Sequence, residues 1–527
     1  MVAAAAEAWP DAEAIVDGDV RISFAALHER VGMARGAAQA AGIRRGDRAA
    51  IWAPNRWEWI VAALGVQAAG GVVVPMTTRY KGEEAAYVLK RSGAKLLFTV
   101  QEFLGVDYPA LLEGRETDLE LTVLLDSSSW DAYMSCGGTR TPPAVSETDV
   151  ADIIFTSGTT GRPKGVISSH AQTVGVPRAW AATVGLQAGD RYLLVSPFSH
   201  TSGYKCGFVG AIMTGATTYP LAVADTPALL DLVTRERITM LPGTPTLFQT
   251  ILNHPERHRF ELSSLRLSAV GAASVPVELV RRMKAELFET VVTGYGLTET
   301  TGVATMSRFD DAPELIAHTV GRPLPGVEVR IADPAGAEVA TGTAGEVLVR
   351  GYNVMQGYFD APEHTAEAID ADGWLHTGDV GRVDEAGYLS ITDRLKDMYI
   401  VGGFNAYPAE IEATLLGHPG VALVAVIGIP DEHQGEVGMA FVVPRPGASP
   451  TEQEIIAWSR TEMANYKVPR RVAIVEELPL NAVGKVVKPE LRTAATSYLG
   501  KDPALATVER HRAPGPARRS GPFPEHP

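Results

Sequence analysis

The stretch DRAAIWAPNRWEWIVAALGVQAAGGVVVP, residues 47–75, decides the fold class. Residues 49–52 form a short apolar run typical of a buried strand, and residues 72–74 form a second run of this kind. Between them, residues 57–69 form a longer apolar segment that ends at two glycines, which is typical of a helix. A strand, a helix and a strand in this order predict a parallel sheet with helices packed against it.

The same alternation continues on both sides of this stretch. Downstream, residues 83–92 predict a helix and residues 96–100 predict a strand. Upstream, apolar residues at helical spacing predict another helix, and these are Phe24, Leu27, Val31, Ala34 and Ala38. We therefore predict an α/β fold in which a large N-terminal domain, residues 1–392, contains parallel strands covered by helices.

The sequence changes in character after residue 392. A cluster of acidic and basic residues at 393–397 precedes a new apolar run, and residues 410–490 have the helix and strand pattern of a compact α+β unit. We predict a small mobile C-terminal domain at 393–500. Residues 501–527 are rich in proline and arginine without apolar periodicity, which predicts a disordered tail.

Composition limits the possible partners. Of the 527 residues, 46% are hydrophobic and 21% are charged, as in globular proteins. The net charge of −15 repels nucleic acid and anionic membrane surfaces, so a nucleotide needs a local binding site. The two cysteines are too few for a disulfide framework, and neither an export signal nor a membrane-spanning segment is evident. We expect a cytoplasmic protein, monomeric or homodimeric, that acts on a small molecule.

The segment FTSGTTGRPKG, residues 155–165, predicts a phosphate-binding loop. Its glycines allow backbone N–H groups to approach an anion closely, its hydroxyls add hydrogen-bond donors, and Lys164 adds a positive charge. The order of residues is not that of a Walker A loop, because Arg162 and Pro163 separate the second glycine from the lysine. The sequence therefore disfavours the usual kinase and GTPase machinery.

This loop resembles the signature of the AMP-forming adenylating enzymes, a superfamily of acyl-CoA synthetases, adenylation domains of nonribosomal peptide synthesis and beetle luciferases. The resemblance covers roughly residues 9–495, because six further motifs follow in the family's order. They are PFSHTSG at 197–203, YGLTET at 295–300, GEVLVRG at 345–351, WLHTGD at 374–379, the junction at 393–412, and NAVGK at 481–485.

The resemblance implies a reaction in two steps. A carboxylate attacks the α-phosphorus of ATP in the presence of Mg²⁺, which gives an acyl-adenylate and pyrophosphate, and coenzyme A then takes the acyl group. By the same resemblance, the residues of the loop bind the phosphates, and they are Thr156, Ser157, Gly158, Thr159, Thr160, Gly161 and Lys164.

The resemblance also assigns roles to residues outside the loop. Glu299 is implied as the magnesium ligand, and Thr298 as a contact of the α-phosphate. Tyr295 is expected to stack on adenine, while Asp379 and Arg394 are expected to bind the ribose. A small-residue loop that runs along adenine and the acyl group is implied at Gly271, Ala272 and Ala273.

In the C-terminal part, Lys485 matches the catalytic lysine that neutralises charge during adenylation. Lys396 matches the hinge position about which the small domain would rotate between the two steps. Gly402, Gly403 and Phe404 match the segment beside the pantetheine channel.

Several residues bear on which carboxylic acid is activated. His200 resembles the aromatic gate between the acyl tunnel and the nucleotide, and the glycines near the expected acyl site either leave room for a bulky acid or merely turn the chain. Residues 203–207, 295–306 and 391–399 look like actinobacterial ligases that activate the bicyclic indanedione-propanoate from steroid breakdown, although residues 199–202 depart from them. A medium-chain, fatty or aromatic acid is an alternative, as is an adenylation domain that loads a carrier protein. A luciferase-like oxygenase and an inactive adenylate-binding protein are further, less favoured classes.

Overall fold

The computed structural model describes residues 1–138, 140–156, 163–271, 275–394, 397–401, 404–431, 433–463, 465–481 and 485–499. The chain divides into two compact units. The first contains the described residues of Met1–Leu395 and Ala482–Lys485, and the second contains those of Lys396–Asn481 and Val486–Pro527. Both units mix helices with sheets, so the predicted fold class is confirmed. The domain limits predicted from the sequence stay predictions.

The strands are β1 Glu13–Asp17, β2 Val20–Ser23, β3 Arg48–Trp52, β4 Val72–Pro75, β5 Ala94–Thr99, β6 Glu102–Phe103, β7 Val106–Asp107, β8 Leu121–Leu124, β9 Val150–Thr156, β10 Lys164–Ser169, β11 Arg191–Leu194, β12 Thr217–Pro220, β13 Leu267–Val270, β14 Thr290–Tyr295, β15 Thr305–Met306, β16 Arg322–Pro323, β17 Val327–Ala332, β18 Gly345–Gly351, β19 Gly357–Tyr358, β20 Leu375–Val383, β21 Leu389–Arg394, β22 Tyr399–Val401, β23 Phe404–Ala406, β24 Val421–Asp431, β25 Gly435–Pro444 and β26 Arg471–Ile474.

The α-helices are α1 Val2–Ala8, α2 Phe24–Ala40, α3 Trp57–Ala68, α4 Gly82–Ser92, α5 Tyr108–Leu112, α6 Ser128–Ser135, α7 His170–Val184, α8 Thr201–Gly203, α9 Gly210–Thr214, α10 Thr226–Glu236, α11 Pro245–Leu252, α12 Val277–Glu286, α13 Pro313–His318, α14 Pro362–Ala368, α15 Pro408–Leu415, α16 Glu452–Glu462 and α17 Lys488–Leu499. A π-helix spans Tyr204–Val209, and 3₁₀ turns span Arg257–Arg259 and Thr298–Thr300.

The largest sheet of the first unit has seven strands in the order β19-β10-β9-β4-β3-β5-β8. The five strands from β9 to β8 are parallel, and β10 and β19 extend the sheet in antiparallel fashion. All four residues of β4 are buried, because helices cover both faces of a parallel sheet. The strands and helices predicted between residues 47 and 100 are confirmed.

Helices α2 and α3 pack closely because their contact is made by small residues. A Cβ placed on Gly65 would lie 2.4 Å from the Cβ of Ala34, so a larger residue at 65 would push the two helices apart. The side chain of Ser23 caps α2 by accepting a hydrogen bond from the Ala26 N–H at 3.2 Å. This cap marks the start of α2.

The first unit also contains three sheets of four strands and the two-stranded sheet β6-β7. The orders of the four-stranded sheets are β11-β12-β1-β2, β13-β14-β15-β16 and β17-β18-β20-β21. The carboxyl end of β14 is followed, after two residues, by the 3₁₀ turn at Thr298–Thr300. Strand β20 contains residues 375–379 of the WLHTGD motif and lies between β18 and β21 in its sheet. The sheets thus place the WLHTGD motif on an inner strand and the YGLTET motif at the end of β14.

The second unit is a small α+β fold around a five-stranded sheet. Its strand order is β23-β22-β25-β24, and β26 pairs in parallel with β25. Ile411 and Leu415 of α15, and Ile455 of α16, are buried in its core. The helix and strand pattern of an α+β unit that the sequence predicts for residues 410–490 is confirmed. Residues 501–527, predicted as a tail, lie outside the described residues. Across the part of the chain that the structure describes, no helix has both the length and the apolar composition needed to cross a bilayer.

Candidate active site

The predicted phosphate loop joins two paired strands. Thr156 ends β9, Lys164 begins β10, and the two residues lie opposite each other in the ladder. The Thr156 hydroxyl also donates to the Lys164 carbonyl oxygen at 3.4 Å. The predicted phosphate ligands Ser157, Gly158, Thr159, Thr160 and Gly161 lie outside the described residues. The structure therefore fixes the two ends of the loop, one with a hydroxyl and one with an ammonium group.

Glu299 is held close to this pair of strands. It lies in the 3₁₀ turn Thr298–Thr300, where the Leu297 N–H donates to the Thr300 hydroxyl at 2.8 Å. The Glu299 carbonyl oxygen accepts from the Met355 N–H at 2.8 Å, and its carboxylate accepts from the Tyr358 hydroxyl at 2.9 Å. Both the backbone and the side chain of Glu299 are thus fixed by the segment that adds the edge strand β19.

The residues predicted to bind adenine and ribose are in direct contact. The Tyr295 hydroxyl donates to Asp379 Oδ2 at 2.5 Å, and Asp379 is only 3% exposed. Asp379 also lies opposite Arg394 in the β20–β21 ladder. The ladder therefore brings the two residues expected at the ribose to the same place, while the side chain of Arg394 is outside the described part.

His200 is a partly buried, neutral histidine at the start of α8. The Ser202 N–H donates to its Nδ1 at 3.2 Å, and the Ser202 hydroxyl lies 2.8 Å from the same atom. Nδ1 is therefore the acceptor of the ring, which leaves the proton on Nε2. Burial, and after it the positive charge of Lys485, lowers the pKa of His200 to about 4. Near pH 7 the ring carries no charge.

The segment that contains His200 lies against the loop that contains Glu299. A Cβ on Gly302 would lie 2.8 Å from the Thr201 Cβ, and a Cβ on Gly203 would lie 2.3 Å from the Pro197 carbonyl oxygen. Gly296 is equally crowded by the Gly302 carbonyl. These glycines thus permit close packing of the backbone. Gly271 differs, since no described atom lies within 4 Å of its Cβ position.

The other predicted site residues differ in how much of them the structure describes. Ala272, Ala273, Lys396, Gly402 and Gly403 lie outside the described residues. Arg394 and Phe404 are described in their backbone only, as strand residues. Lys485 is described and exposed.

Comparison with known proteins identifies the family. The sequence model of the family "AMP-binding enzyme" matches residues 2–359 of this chain. The sequence model of the family "AMP-binding enzyme C-terminal domain" matches residues 410–485. This chain belongs to the AMP-binding enzyme family. The resemblance stated from the sequence motifs is confirmed.

The AMP-binding enzyme described here is similar to curated acid:CoA ligases over nearly its whole length. It is 47% identical over 508 residues to 3-[(3aS,4S,7aS)-7a-methyl-1,5-dioxo-octahydro-1H-inden-4-yl]propanoyl:CoA ligase of Rhodococcus jostii (strain RHA1), with 93% of this chain and 96% of the relative covered. It is 48% identical over 495 residues to the ligase of the same name from Mycobacterium tuberculosis, with 92% and 96% covered. We refer to these two relatives as the indanedione-propanoyl ligases.

Among solved structures, the enzyme is similar to ATP-bound MatB from Rhodopseudomonas palustris. The TM-score is 0.84 and the identity 31%, and the match covers 92% of this chain and 96% of that one. The fold that these 92% of the chain share with MatB has been solved in MatB with ATP bound.

The donor set suits a magnesium ion that is shared with a phosphate chain. Within the described residues, no three His, Cys, Asp or Glu side chains form a group of the size that holds a metal. Glu299 instead offers a single carboxylate beside the two ends of the phosphate loop. Mg²⁺ is usually held by one or two carboxylates, with phosphate and water oxygens as the other ligands.

Sequence reasoning missed a buried ion pair next to the site. Lys205 Nζ lies 3.0 Å from Asp152 Oδ1 and donates to the Ser168 hydroxyl at 2.7 Å, and both charged side chains are 0% exposed. The Thr173 hydroxyl donates to Asp152 Oδ2 at 2.7 Å. A signal was present, because Asp152 is a lone charge within the apolar strand VADIIF and Lys205 is a lone charge of opposite sign in a second apolar segment.

Tyr358 was also missed, and the sequence offers no comparable signal for it. Its ring lies under the ammonium group of Lys164, 5.2 Å from Nζ to the ring centroid, and its hydroxyl binds Glu299. Nothing in the local sequence distinguishes it from an ordinary packed aromatic residue.

Proposed function

We propose that this AMP-binding enzyme is an ATP-dependent acid:CoA ligase that activates a bulky, bicyclic propanoate of the indanedione type. The observation that carries the proposal is the identity of 47–48% with the two indanedione-propanoyl ligases over 92–93% of the chain. The geometry of the site supports nucleotide binding and adenylation, and the family resemblance supports the thioester step.

Nucleotide binding is supported by Tyr295 and Asp379. Their mutual hydrogen bond fixes the phenol ring, so that one face can stack on adenine. A carboxylate accepts up to about four hydrogen bonds, and Asp379 is the acceptor proposed for the two ribose hydroxyls. Thr156 and Lys164 at the ends of the loop offer a donor and a positive charge to the phosphates.

Adenylation requires two anions to approach each other. The oxygen of the substrate carboxylate forms a bond to the α-phosphorus, and the bond to the pyrophosphate oxygen breaks. Mg²⁺, when bound at Glu299, supplies positive charge to the phosphates and the leaving group. Lys485 is the cation proposed to offset the charge between the carboxylate and the α-phosphate, and Thr298 is proposed to donate to the same phosphate.

A neutral His200 suits this step. With a pKa of about 4 it neither adds a second positive charge near Lys485 nor protonates the attacking carboxylate. Its role is therefore to shape and orient the acyl end of the site, and a general-base role is not part of the proposal.

Thioester formation follows at the same carbonyl carbon. The sulfur of coenzyme A forms a bond to this carbon and loses its proton to solvent, and AMP leaves with the electron pair of the acyl–oxygen bond. Rotation of a C-terminal domain, 393–500, about Lys396 is the proposed transition, with Gly402, Gly403 and Phe404 beside the incoming thiol.

The proposal is tested with a panel of acids. Pyrophosphate release is measured with ATP, Mg²⁺ and each acid, with and without coenzyme A, and the products are identified by mass spectrometry. The panel contains the indanedione-propanoate, medium-chain fatty acids, aromatic acids and amino acids. We expect the highest kcat/KM with the indanedione-propanoate, and AMP and the acyl-CoA as products.

Two other outcomes would contradict the proposal at different levels. A preference for a medium-chain or aromatic acid, with the acyl-CoA still formed, would overturn the substrate and keep the reaction. Pyrophosphate release with amino acids and no thioester with coenzyme A would instead indicate an adenylation enzyme that serves a carrier protein.

A further inference from the structure

The segment from Met355 to Phe359 ties two parts of the proposed site together. At one end, the Met355 N–H donates to the Glu299 carbonyl oxygen at 2.8 Å. At the other end, Tyr358 lies opposite Val166 in the β10–β19 ladder, and the Phe359 N–H donates to the Gly165 carbonyl oxygen at 2.7 Å. The backbone therefore fixes Tyr358 between Glu299 and the strand that begins with Lys164.

The side chain of Tyr358 contacts both charged groups. Its hydroxyl donates to Glu299 Oε1 at 2.9 Å, and Lys164 Nζ lies 5.2 Å from the centroid of its ring. A cation at this distance over a phenol ring is attracted to the ring face. Among the described residues, the second carboxylate oxygen of Glu299 accepts no hydrogen bond, and Lys164 forms no ion pair.

We propose that Tyr358 is a positioning residue for MgATP, which keeps Glu299 and Lys164 oriented and apart. The inference rests on the proposed function and extends it. Without a neutral group between them, a lysine and a glutamate on adjacent segments would form an ion pair that the incoming phosphates and magnesium would have to break. The phenol satisfies one oxygen of Glu299 and offers its face to Lys164, so both charges stay available to the ligand.

The two halves of the Tyr358 side chain have separable effects. Tyr358→Phe removes the hydroxyl and keeps the ring, so the orientation of Glu299 is lost while Lys164 keeps its support. Tyr358→Leu removes the ring as well, so Lys164 becomes able to pair with Glu299. The first change is expected to act on the magnesium requirement, and the second on ATP binding with and without magnesium.

The chain contains a matched control. Tyr388 donates its hydroxyl to Asp311 Oδ1 at 2.6 Å, and Arg322 lies over its ring at 5.0 Å from the centroid. Tyr388 directly precedes β21, and Arg394 is the last residue of that strand. At the usual rise per residue, the two residues are about 20 Å apart. Tyr388→Phe therefore removes a hydrogen bond from a phenol to a carboxylate, as Tyr358→Phe does, and the ring again lies under a cation. The difference is that Tyr388 lies away from the residues proposed to bind the nucleotide.

The experiment measures ATP binding by calorimetry in EDTA and in a series of Mg²⁺ concentrations, together with ATP–pyrophosphate exchange. For Tyr358→Phe we expect the half-saturating Mg²⁺ concentration to rise about tenfold, as for the loss of one hydrogen bond to a charged group. ATP binding in EDTA and the KM for the acid should stay unchanged. Tyr388→Phe should leave all of these values at the wild-type level.

Glu299→Gln separates failure of this inference from failure of the proposed function. If Glu299→Gln raises the Mg²⁺ requirement and Tyr358→Phe does not, the role of Tyr358 is wrong and the metal site stands. If neither variant changes it, the assignment of Glu299 to magnesium is wrong. The thermal midpoints of all variants are measured alongside, and a shift in Mg²⁺ dependence at an unchanged midpoint supports positioning over a general loss of structure.

Discussion

The two ends of the β9–β10 hairpin use charge in opposite ways. At the end away from the connecting loop, here called the buried end, Asp152 lies opposite Ser168 in the ladder, and its carboxylate is fully buried and paired with Lys205. At the loop end, Thr156 lies opposite Lys164, and the ammonium group of Lys164 lies over the ring of Tyr358. Thus Asp152 at one end of the hairpin is paired with an opposite charge, while Lys164 at the other end contacts a neutral ring.

The difference indicates which charges serve the fold and which serve a ligand. A buried charge without a partner costs several kcal/mol, so structural charges in a core come in pairs. A charge that must meet a substrate cannot have such a partner. The neutral phenol of Tyr358 supports Lys164 and Glu299 without neutralising either of them.

The largest effect on stability is expected at the buried end. Lys205→Met keeps most of the side-chain volume and leaves the carboxylate of Asp152 buried without its cation. We expect the free energy of unfolding to fall by about 3–5 kcal/mol, measured by urea denaturation. The double variant with Asp152→Asn should recover part of this loss, because the uncompensated charge is gone. A double variant that is as unstable as the sum of the two single ones would contradict the pairing.

The largest effect on catalysis is expected for the loss of the Lys485 ammonium group. Lys485→Ala should lower ATP–pyrophosphate exchange about 10²- to 10³-fold, since one positive group is lost from the developing charge. Thioester formation from a supplied acyl-adenylate should be largely retained. Lys488→Ala is the control. Lys488 lies three residues after Lys485 in the chain, and it forms an ion pair with Glu412 at 3.1 Å. Full exchange activity in Lys485→Ala would remove this lysine from the adenylation step.

The sequence predicts the strands and helices around residues 47–100 well, because their pattern is local and their burial is nearly complete. The order of the family motifs also predicts which loops form the site. Contacts that depend on register between distant segments are not local. Tyr358 meets Lys164 only because β19 pairs with β10 in one register, and no pattern near residue 358 reports that pairing.

The ion pair between Lys205 and Asp152 is an intermediate case. Each residue is a lone charge in an apolar segment, so a partner of opposite charge can be expected for each of them. The sequence does not say which partner is chosen, because that depends on how the π-helix Tyr204–Val209 packs against β9. Packing, and not propensity, therefore decides this part of the structure.

A third prediction concerns pH and the neutral state of His200. The ordinary pKa of histidine is about 6.5 in the unfolded chain, and burial lowers the pKa of His200 in the folded protein to about 4. Between these values the unfolded chain binds a proton that the folded protein does not. This contribution to stability is complete above pH 6.5 and is lost as the pH falls towards 4.

The size of this effect follows from the difference in pKa. Between pH 7 and pH 4, wild-type protein should lose about 3 kcal/mol more stability than His200→Gln, which has no group to titrate. Urea denaturation at a series of pH values measures the difference, and carboxylates that titrate in the same range cancel between the two proteins. Parallel curves for the two proteins would mean that His200 titrates normally.

The smallest expected effect sharpens the distinction between the two ends. Thr173→Val keeps the shape of the side chain and removes the hydroxyl that donates to Asp152 at 2.7 Å. We expect a loss of about 2 kcal/mol in the free energy of unfolding, as for a buried hydrogen bond to a charged group. Thr183→Val on the same helix is the control, because its hydroxyl donates only to the Ala179 carbonyl oxygen. Since the proposed nucleotide contacts lie at the loop end and not at the buried end, the KM for MgATP should be equal in both variants. A tenfold rise of that KM in Thr173→Val, at unchanged stability, would show that the buried pair also positions the phosphate loop.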